Sequence, residues 1–305
     1  VTFGLVFEQL LNGLQFGVTL FLMAAGLTLV LGIMNVVNLA HGSLYMVGAY
    51  LALAAAQWTG SYLLGAALGL LGTLVVGMGV EVVVLRTLYD RDHLDQVLAT
   101  FGLILFFNEL VALVWGRGSL YTSLPAWLSG HIALFGGSTY PVYRLAVLVV
   151  GLLTAAVLWY VVMRTRLGML IRAGASNRAM VAALGVNIKL LYTVVFGFGA
   201  ALAGLAGLMA GPIYAVQPGM GELILIQVFV VIVIGGIGSI RGALVGAIIV
   251  GVVDTLGRAF LKPMLATVIS APAAEAAGPA LASMLIYLLM AVVLAVKPAG
   301  LFQSR

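Results

Sequence analysis

The chain has 305 residues, of which 64% are hydrophobic and only 8% charged, with 39 glycines and no cysteine. Soluble domains carry roughly 25% charged residues, so this composition, with its mean hydropathy of +1.23, excludes a soluble fold and requires a bilayer as solvent. The net charge of +5 is spread over short connections between apolar segments, which makes it a topology signal rather than a footprint for nucleic acid, and without cysteine there are no disulfides, thiolate metal sites or cysteine nucleophiles.

Crossing a bilayer takes about 20 apolar residues in a helix. In chain order the candidates are residues 7–31, 43–57, 63–85, 96–115, 143–162, 191–211, 223–240, 242–260 and 281–296. The second is short for a full crossing and reads as a broken or re-entrant helix near residues 32–57. The expected fold is an all-α integral membrane protein of eight or nine transmembrane helices, forming one transmembrane domain over residues 1–305.

The connections divide by charge. Arg86 and Arg91, then Arg164, Arg166, Arg172, Arg178 and Lys189, then Lys297 and Arg305 fall on one alternating set; Arg117 and Arg144, then Arg258 and Lys262, fall on the other. The richer set is cytoplasmic by the positive-inside rule. That places the C-terminus inside and leaves the side of the N-terminus to whether 43–57 crosses. Small residues recur every four positions at Gly199, Ala203, Gly207 and Gly211, and again at Gly242 and Gly246, a spacing that lets helix backbones approach in lipid. A short echo between His41-Gly-Ser-Leu-Tyr-Met-Val-Gly-Ala49 and Arg241-Gly-Ala-Leu-Val-Gly-Ala247 is of the kind an internal pseudo-repeat leaves.

Signals for catalysis are weak. His41, His93 and His131 lie in separate segments, and none of Lys189, Lys262 and Lys297 stands in a phosphate-loop context. Gly235-Gly-Ile-Gly-Ser-Ile-Arg241 lacks the third glycine and the strand–helix setting of a dinucleotide loop, and reads as a tight helix–helix connection. The chain is expected to bind no metal or cofactor and to hydrolyse no ATP by itself.

The most informative stretch is Gly32-Ile-Met-Asn-Val-Val-Asn-Leu-Ala-His-Gly-Ser-Leu-Tyr45. Polar side chains at membrane depth are costly unless they face protein or water. On a helix, Asn35, Asn38, His41 and Tyr45 would fall within an arc of roughly 120°. Such a stripe either lines a solute path or forms a packed hydrogen-bond network, and the residues alone favour neither. Among the acids, Asp254 and Arg258 are spaced to neutralise each other, and Glu81 lies close to Arg86. Glu109, beside Asn108, is the carboxylate deepest in an apolar run without a local partner, and a pairing with another helix is expected for it.

The longest connection on the basic side is 164–190. Within it, Ser176-Asn-Arg-Ala-Met-Val-Ala-Ala-Leu-Gly185 has the form of a short helix, capped by Ser176 or Asn177 and ended by Gly185. Met180, Ala183, Leu184 and Ile188 would form a narrow apolar stripe, suited to the membrane surface or to a cleft on a soluble partner.

Four stretches, in order, resemble one known family. Residues 32–50, opening Gly-Ile-Met-Asn-Val-Val-Asn-Leu-Ala-His-Gly, are similar to the N-terminal signature of LivH-type permeases of branched-chain amino-acid ATP-binding-cassette importers. The loop from Arg172 to Val186 resembles their ATPase-coupling segment, and Phe196–Gly207 and Val233–Ala247 also match, whereas 130–144 and 262–279 match no pattern of the family. The resemblance implies a permease subunit in the bacterial inner membrane, moving branched-chain amino acids, or alternatively urea, amides or another amino acid; an ion-coupled secondary transporter is the more distant reading. It also implies partners: a second, related permease, two cytoplasmic ATPases carrying ATP and magnesium, and a periplasmic solute-binding protein. Under it, Asn35, Asn38, His41 and Tyr45 are substrate-path candidates, and Asn177, Arg178, Met180, Leu184 and Gly185, within about 172–189, are coupling candidates.

Overall fold

The computed structural model describes residues 3–134 and 139–302. In order the elements are α1 (Phe3–Met34), α2 (His41–Thr59), α3 (Tyr62–Val83), a 3-10 turn (Leu85–Leu88), α4 (His93–Trp115), β1 (His131–Ala133), β2 (Thr139–Pro141), α5 (Val142–Arg164), α6 (Arg166–Ser176), α7 (Arg178–Ala183), α8 (Ile188–Ala210), α9 (Met220–Gly235), α10 (Ile240–Leu265) and α11 (Ala271–Val296). Among the described residues seven helices are long and apolar enough to cross a membrane, and α9 is a shorter apolar helix. The protein is a multi-pass membrane protein of helical architecture, as its composition requires. Outside the helices, β1 and β2 pair antiparallel, with Ile132 opposite Tyr140; the apolar-run reading gave no sign of this ribbon.

Local chemistry sets the helix ends. Ser61 Oγ accepts from the Leu64 N–H, Asn187 Oδ1 from Leu190, and Ser239 Oγ from Gly242. Each side chain satisfies one of the amide groups that a helix start leaves without an intrahelical partner. At the end of α1, Asn35 takes φ +51°, a left-handed conformation that asparagine tolerates better than other side chains, and the helix stops.

The chain divides into two compact units, Val1–Phe21 with Pro125–Leu152 and Gln227–Arg305, and Leu22–Leu124 with Leu153–Ile226. In the first, the start of α1 lies against α10: a Cβ at Gly17 would stand 2.7 Å from the Ala247 carbonyl oxygen. Asp254 and Arg258 pair at 2.8 Å along α10, as their spacing predicts, and Lys262 reaches Glu275 of α11 at 2.6 Å. The α9–α10 connection is the tight turn read from its glycines. Gly236 sits at φ +103°, and the neighbouring backbone accepts hydrogen bonds from Leu301 (to Ile234 O, 2.8 Å) and Phe302 (to Gly235 O, 3.0 Å).

The core of the second unit is the trio α2, α3 and α8, whose backbones touch. A Cβ at Gly48 would lie 2.3 Å from Gly204 Cα, one at Gly69 would lie 2.6 Å from Ala52 Cα, and one at Gly207 would strike the Tyr45 carbonyl oxygen at 1.9 Å. Side chains of any size would force these helices apart; of the small residues read at four-residue spacing, Gly207 meets α2 and Gly199 meets Gly26 of α1. These contacts also fix direction. Along α3, Gly65 and Gly69 face Ala56 and Ala52 of α2, and Thr73 and Gly77 face Gly204 and Ala200 of α8. Helix α2 therefore runs parallel to α8, and α3 antiparallel to both.

Two opposite ends of this unit are identified by their contacts. At one end Arg178 stands 3.8 Å from Asp90, Arg86 donates to Thr193 at 2.8 Å, and the Tyr89 and Tyr192 rings meet edge to face at 5.2 Å. The connections 84–92 and 164–190, assigned to one side from their charge, are thus on one side in space. At the other end Leu120 pairs with Val216, and Ser119 donates to Gln217 at 2.9 Å.

Candidate translocation and coupling sites

The polar stretch 32–45 is not one helix. Residues 35–38 leave helical geometry, 39–40 form a turn, and α2 begins at His41. The expected stripe is corrected accordingly: Asn35 is exposed at the break, whereas Asn38 and His41 are fully buried and Tyr45 is 3% exposed. The expectation of a broken helix in this region is what the backbone shows. Its physical reason is legible afterwards in Asn35, which ends α1, and in the Val37 N–H, which turns away to donate to Gln96 Oε1 at 3.3 Å.

His41 lies deep. The position that a Cβ on Gly26 would occupy is 3.0 Å from His41 Nε2 and 2.5 Å from the carbonyl oxygen of Gly199, the midpoint of α8. Gly199 is 11 residues from either end of that helix, or about 16 Å at 1.5 Å per residue. Helix α2 therefore starts level with the middle of α8, and the unwound link 35–40 leads into it from the end of α1. Both amide atoms of Asn38, both ring nitrogens of His41 and the hydroxyls of Thr28 and Tyr50 are buried without a well-formed hydrogen bond; the Met23 backbone is within reach of His41 but completes none. Leaving such groups unpaired costs about 1–3 kcal/mol each. Asn38 lies in the helix break and His41 at the start of α2 just after it.

A second buried polar cluster lies at the arginine-rich end. Glu81, fully buried, accepts from Arg86 at 3.0 Å, from Thr193 at 2.6 Å and from the Tyr89 hydroxyl at 2.5 Å. Burial first, and the hydrogen bond to the Glu81 carboxylate second, push the Tyr89 phenol well above its ordinary range. The Glu81–Arg86 pair was visible in the sequence. Thr193, 112 positions on, carried no local signal.

A third cluster was missed. Asn108 of α4 donates to Glu222 Oε1 in the first turn of α9, and its own Oδ1 accepts from the Gly219 N–H at 3.1 Å. The expectation for Glu109 is overturned: it is exposed and pairs with Arg117 at 2.8 Å, just beyond its own helix. Helix α4 turns its neighbour Asn108 inward instead.

The connection 164–190 holds two helices where one was expected. The amphipathic α6 packs inward through Ile171 and Gly174, and Arg172 donates to the Val162 carbonyl oxygen. Ser176 ends α6 rather than capping α7; Asn177 is the cap, its Oδ1 accepting from the Met180 N–H at 2.9 Å, and Gly185 follows α7 at φ +85°. Val181 alone of α7 is buried, while Met180 and Leu184 are 59% and 76% exposed. Met180 and Leu184 thus form an exposed apolar pair on a capped helix anchored by Val181.

Residues 9–294 match the family described as branched-chain amino acid transport system / permease component. The chain belongs to this permease family. The permease is 32% identical over 279 residues to the high-affinity branched-chain amino acid transport system permease protein LivH of Escherichia coli, covering 86% of this chain and 89% of that one. It is 33% identical over 265 residues to the corresponding protein BraD of Pseudomonas aeruginosa, covering 82% and 85%. A probable LivH permease of Methanocaldococcus jannaschii is 27% identical over 266 residues, covering 81% and 80%. No solved structure matches the permease.

Proposed function

We propose that this permease is one of two related membrane subunits of an ATP-driven importer in the bacterial inner membrane, and that it moves branched-chain amino acids. The observation that carries this reading is the family match across residues 9–294, joined by relatives named for that transport over most of both chains. Two cytoplasmic ATPases, holding ATP and magnesium, supply the energy, and a periplasmic binding protein delivers the solute. The permease itself holds no nucleotide and no cofactor.

The geometry supports a division of roles. The end that gathers Arg86, Arg172, Arg178 and Lys189 is cytoplasmic by the positive-inside rule. Since α1 runs down to that end and α2 runs away from it, the start of α1 is periplasmic. Met180 and Leu184 then anchor an ATPase, with Asn177 and Arg178 at the rim and Gly185 closing the helix. Asn38, His41 and Tyr45 line the solute's route at mid-depth, and Asn35 guards its cytoplasmic mouth.

Reconstitution tests the proposal. The permease, co-expressed with its partner subunits and placed in vesicles with ATP but no ion gradient, should accumulate labelled leucine, isoleucine or valine. Uptake that needs a sodium or proton gradient and ignores ATP would overturn it.

A further inference from the structure

The cluster around Glu222 has no role in packing that would require a charge. Glutamate in the first turn of α9 is stabilised by the helix start and by the Asn108 amide, both neutral partners. Among the described residues no cation pairs with it. Among the described residues only its Oε1 accepts a hydrogen bond, and the residue is partly exposed.

Depth makes this unusual. Asn108 lies 15 residues into α4, about 22 Å from the end at His93. The same residue is about 10 Å from the other end of α4 at Trp115, within the span of a hydrocarbon layer about 30 Å thick. Ionisable groups at such a depth turn to protein or to a watery cavity unless they reach an ionic partner at the helix end, as Glu109 reaches Arg117; Glu222 has no such partner among the described residues. The residue before it, Gly221, abuts Gly42 in the first turn of α2, one position after His41. The charge thus stands beside the helix start that holds the unpaired Asn38 and His41, toward the periplasmic end of the same unit.

We infer that Glu222 is the recognition group for the ammonium of an amino acid entering the translocation path. The inference rests on the amino-acid reading above and deepens it. Asn108 is the positioning residue: its amide bonds Oε1 and its carbonyl holds the Gly219 N–H, which fixes the direction of Oε2. An ammonium supplies three donors and a full positive charge to that open oxygen. Selection at this point favours zwitterionic amino acids over carboxylic acids of the same shape.

The test uses the complete importer in vesicles with saturating binding protein, so that delivery is not limiting. Glu222→Gln keeps the size and the bond to Asn108 and removes only the charge. Losing one member of a desolvated charge pair should lower leucine uptake about thirty-fold or more, while assembly and receptor-stimulated ATP hydrolysis continue. Glu222→Asp should recover part of the uptake. Normal uptake by Glu222→Gln would overturn the inference. Failure of that variant to assemble would assign the carboxylate to packing, and a parallel fall of ATP hydrolysis and uptake would assign it to the conformational cycle; either result also overturns it. If the unmodified importer takes up no amino acid, the functional reading fails instead, and the two failures are distinct.

Discussion

Gly42 and Gly221 touch backbone to backbone. A Cβ on Gly221 would lie 2.1 Å from the Gly42 carbonyl oxygen, and one on Gly42 would lie 2.5 Å from that of Gly221. Neither obstacle is a flexible side chain, so Gly221→Ala must push the starts of α2 and α9 apart. Overpacking of this kind costs about 1–3 kcal/mol, read as a lowered unfolding midpoint in detergent. Gly79→Ala is the control. Gly79 lies in α3 with open space around it, and alanine there should be neutral or add about 0.4–1 kcal/mol. Equal midpoints for the two variants would refute the close approach.

Among the described residues the buried amide of Asn38 has no hydrogen-bond partner to strand, and the His41 ring has only the Met23 backbone within reach. Asn38→Leu should therefore leave complex yield and melting unchanged or slightly raised, while ATP-driven uptake falls. A structural network would behave in the opposite way, losing about 1–3 kcal/mol for each stranded partner. Measuring yield and uptake on the same preparations of Asn38→Leu and His41→Leu separates the cases, and normal uptake by both removes these residues from the path.

The exposed apolar pair of α7 predicts a polarity of effects. Truncated apolar anchors at an interface centre cost about 2 kcal/mol or more, and rim charges less. Leu184→Asp should release the ATPase subunits or uncouple hydrolysis from uptake while the membrane subunits still assemble; Arg178→Ala should be milder. Retention of both ATPases with normal transport in Leu184→Asp would make this helix an ordinary surface connection.

Alkaline pH should weaken the cytoplasmic cluster through Tyr89. Its phenol is raised in the folded protein, so the associated stability is complete below the ordinary tyrosine value of about 10 and is lost as pH climbs beyond it. Tyr89→Phe removes a bond to a charged acceptor, about 1.5–3 kcal/mol at pH 8, and the difference from the unmodified protein should shrink above pH 10. Parallel melting curves from pH 8 to 11 would contradict the arrangement.

Sidedness is open to a direct label. A single cysteine at Ser129 should react with an impermeant reagent in intact cells, and one at Asn177 should not. Labelling in the reverse pattern would invert the whole assignment.

What the sequence made legible follows from the range of the forces involved. Apolar runs report burial in lipid one residue at a time, so most helix ends were readable to within five positions, whereas α11 begins at Ala271, ten residues before the expected 281, because its first turns are small and polar rather than strongly apolar. Caps are equally local, and Asn177 and Gly185 bracket α7 as expected. The pairing of Asn108 with Glu222 spans 114 positions and depends on which face α4 turns inward. No local pattern encodes that face, because the apolar residues of a membrane helix surround it on all sides. The same blindness put Glu109 inside and hid Asn108. The polar stripe failed for another reason: it assumed helical geometry through Asn35, the one described residue other than glycine with positive φ.

The backbone contact of α2, α3 and α8 has a mechanical consequence. Helices that meet at Gly48–Gly204 and Gly207–Tyr45 have no side-chain cushion between them, so they cannot slide by fractions of an ångström without collision. They must travel as one stiff beam. Bending then falls to the non-helical links that flank these helices, among them 35–40, 184–187 and 211–219. On the proposed coupling, a stroke delivered at α7 would pass through the link 184–187 into helices that move as one lever, and would be spent in opening one link while another closes.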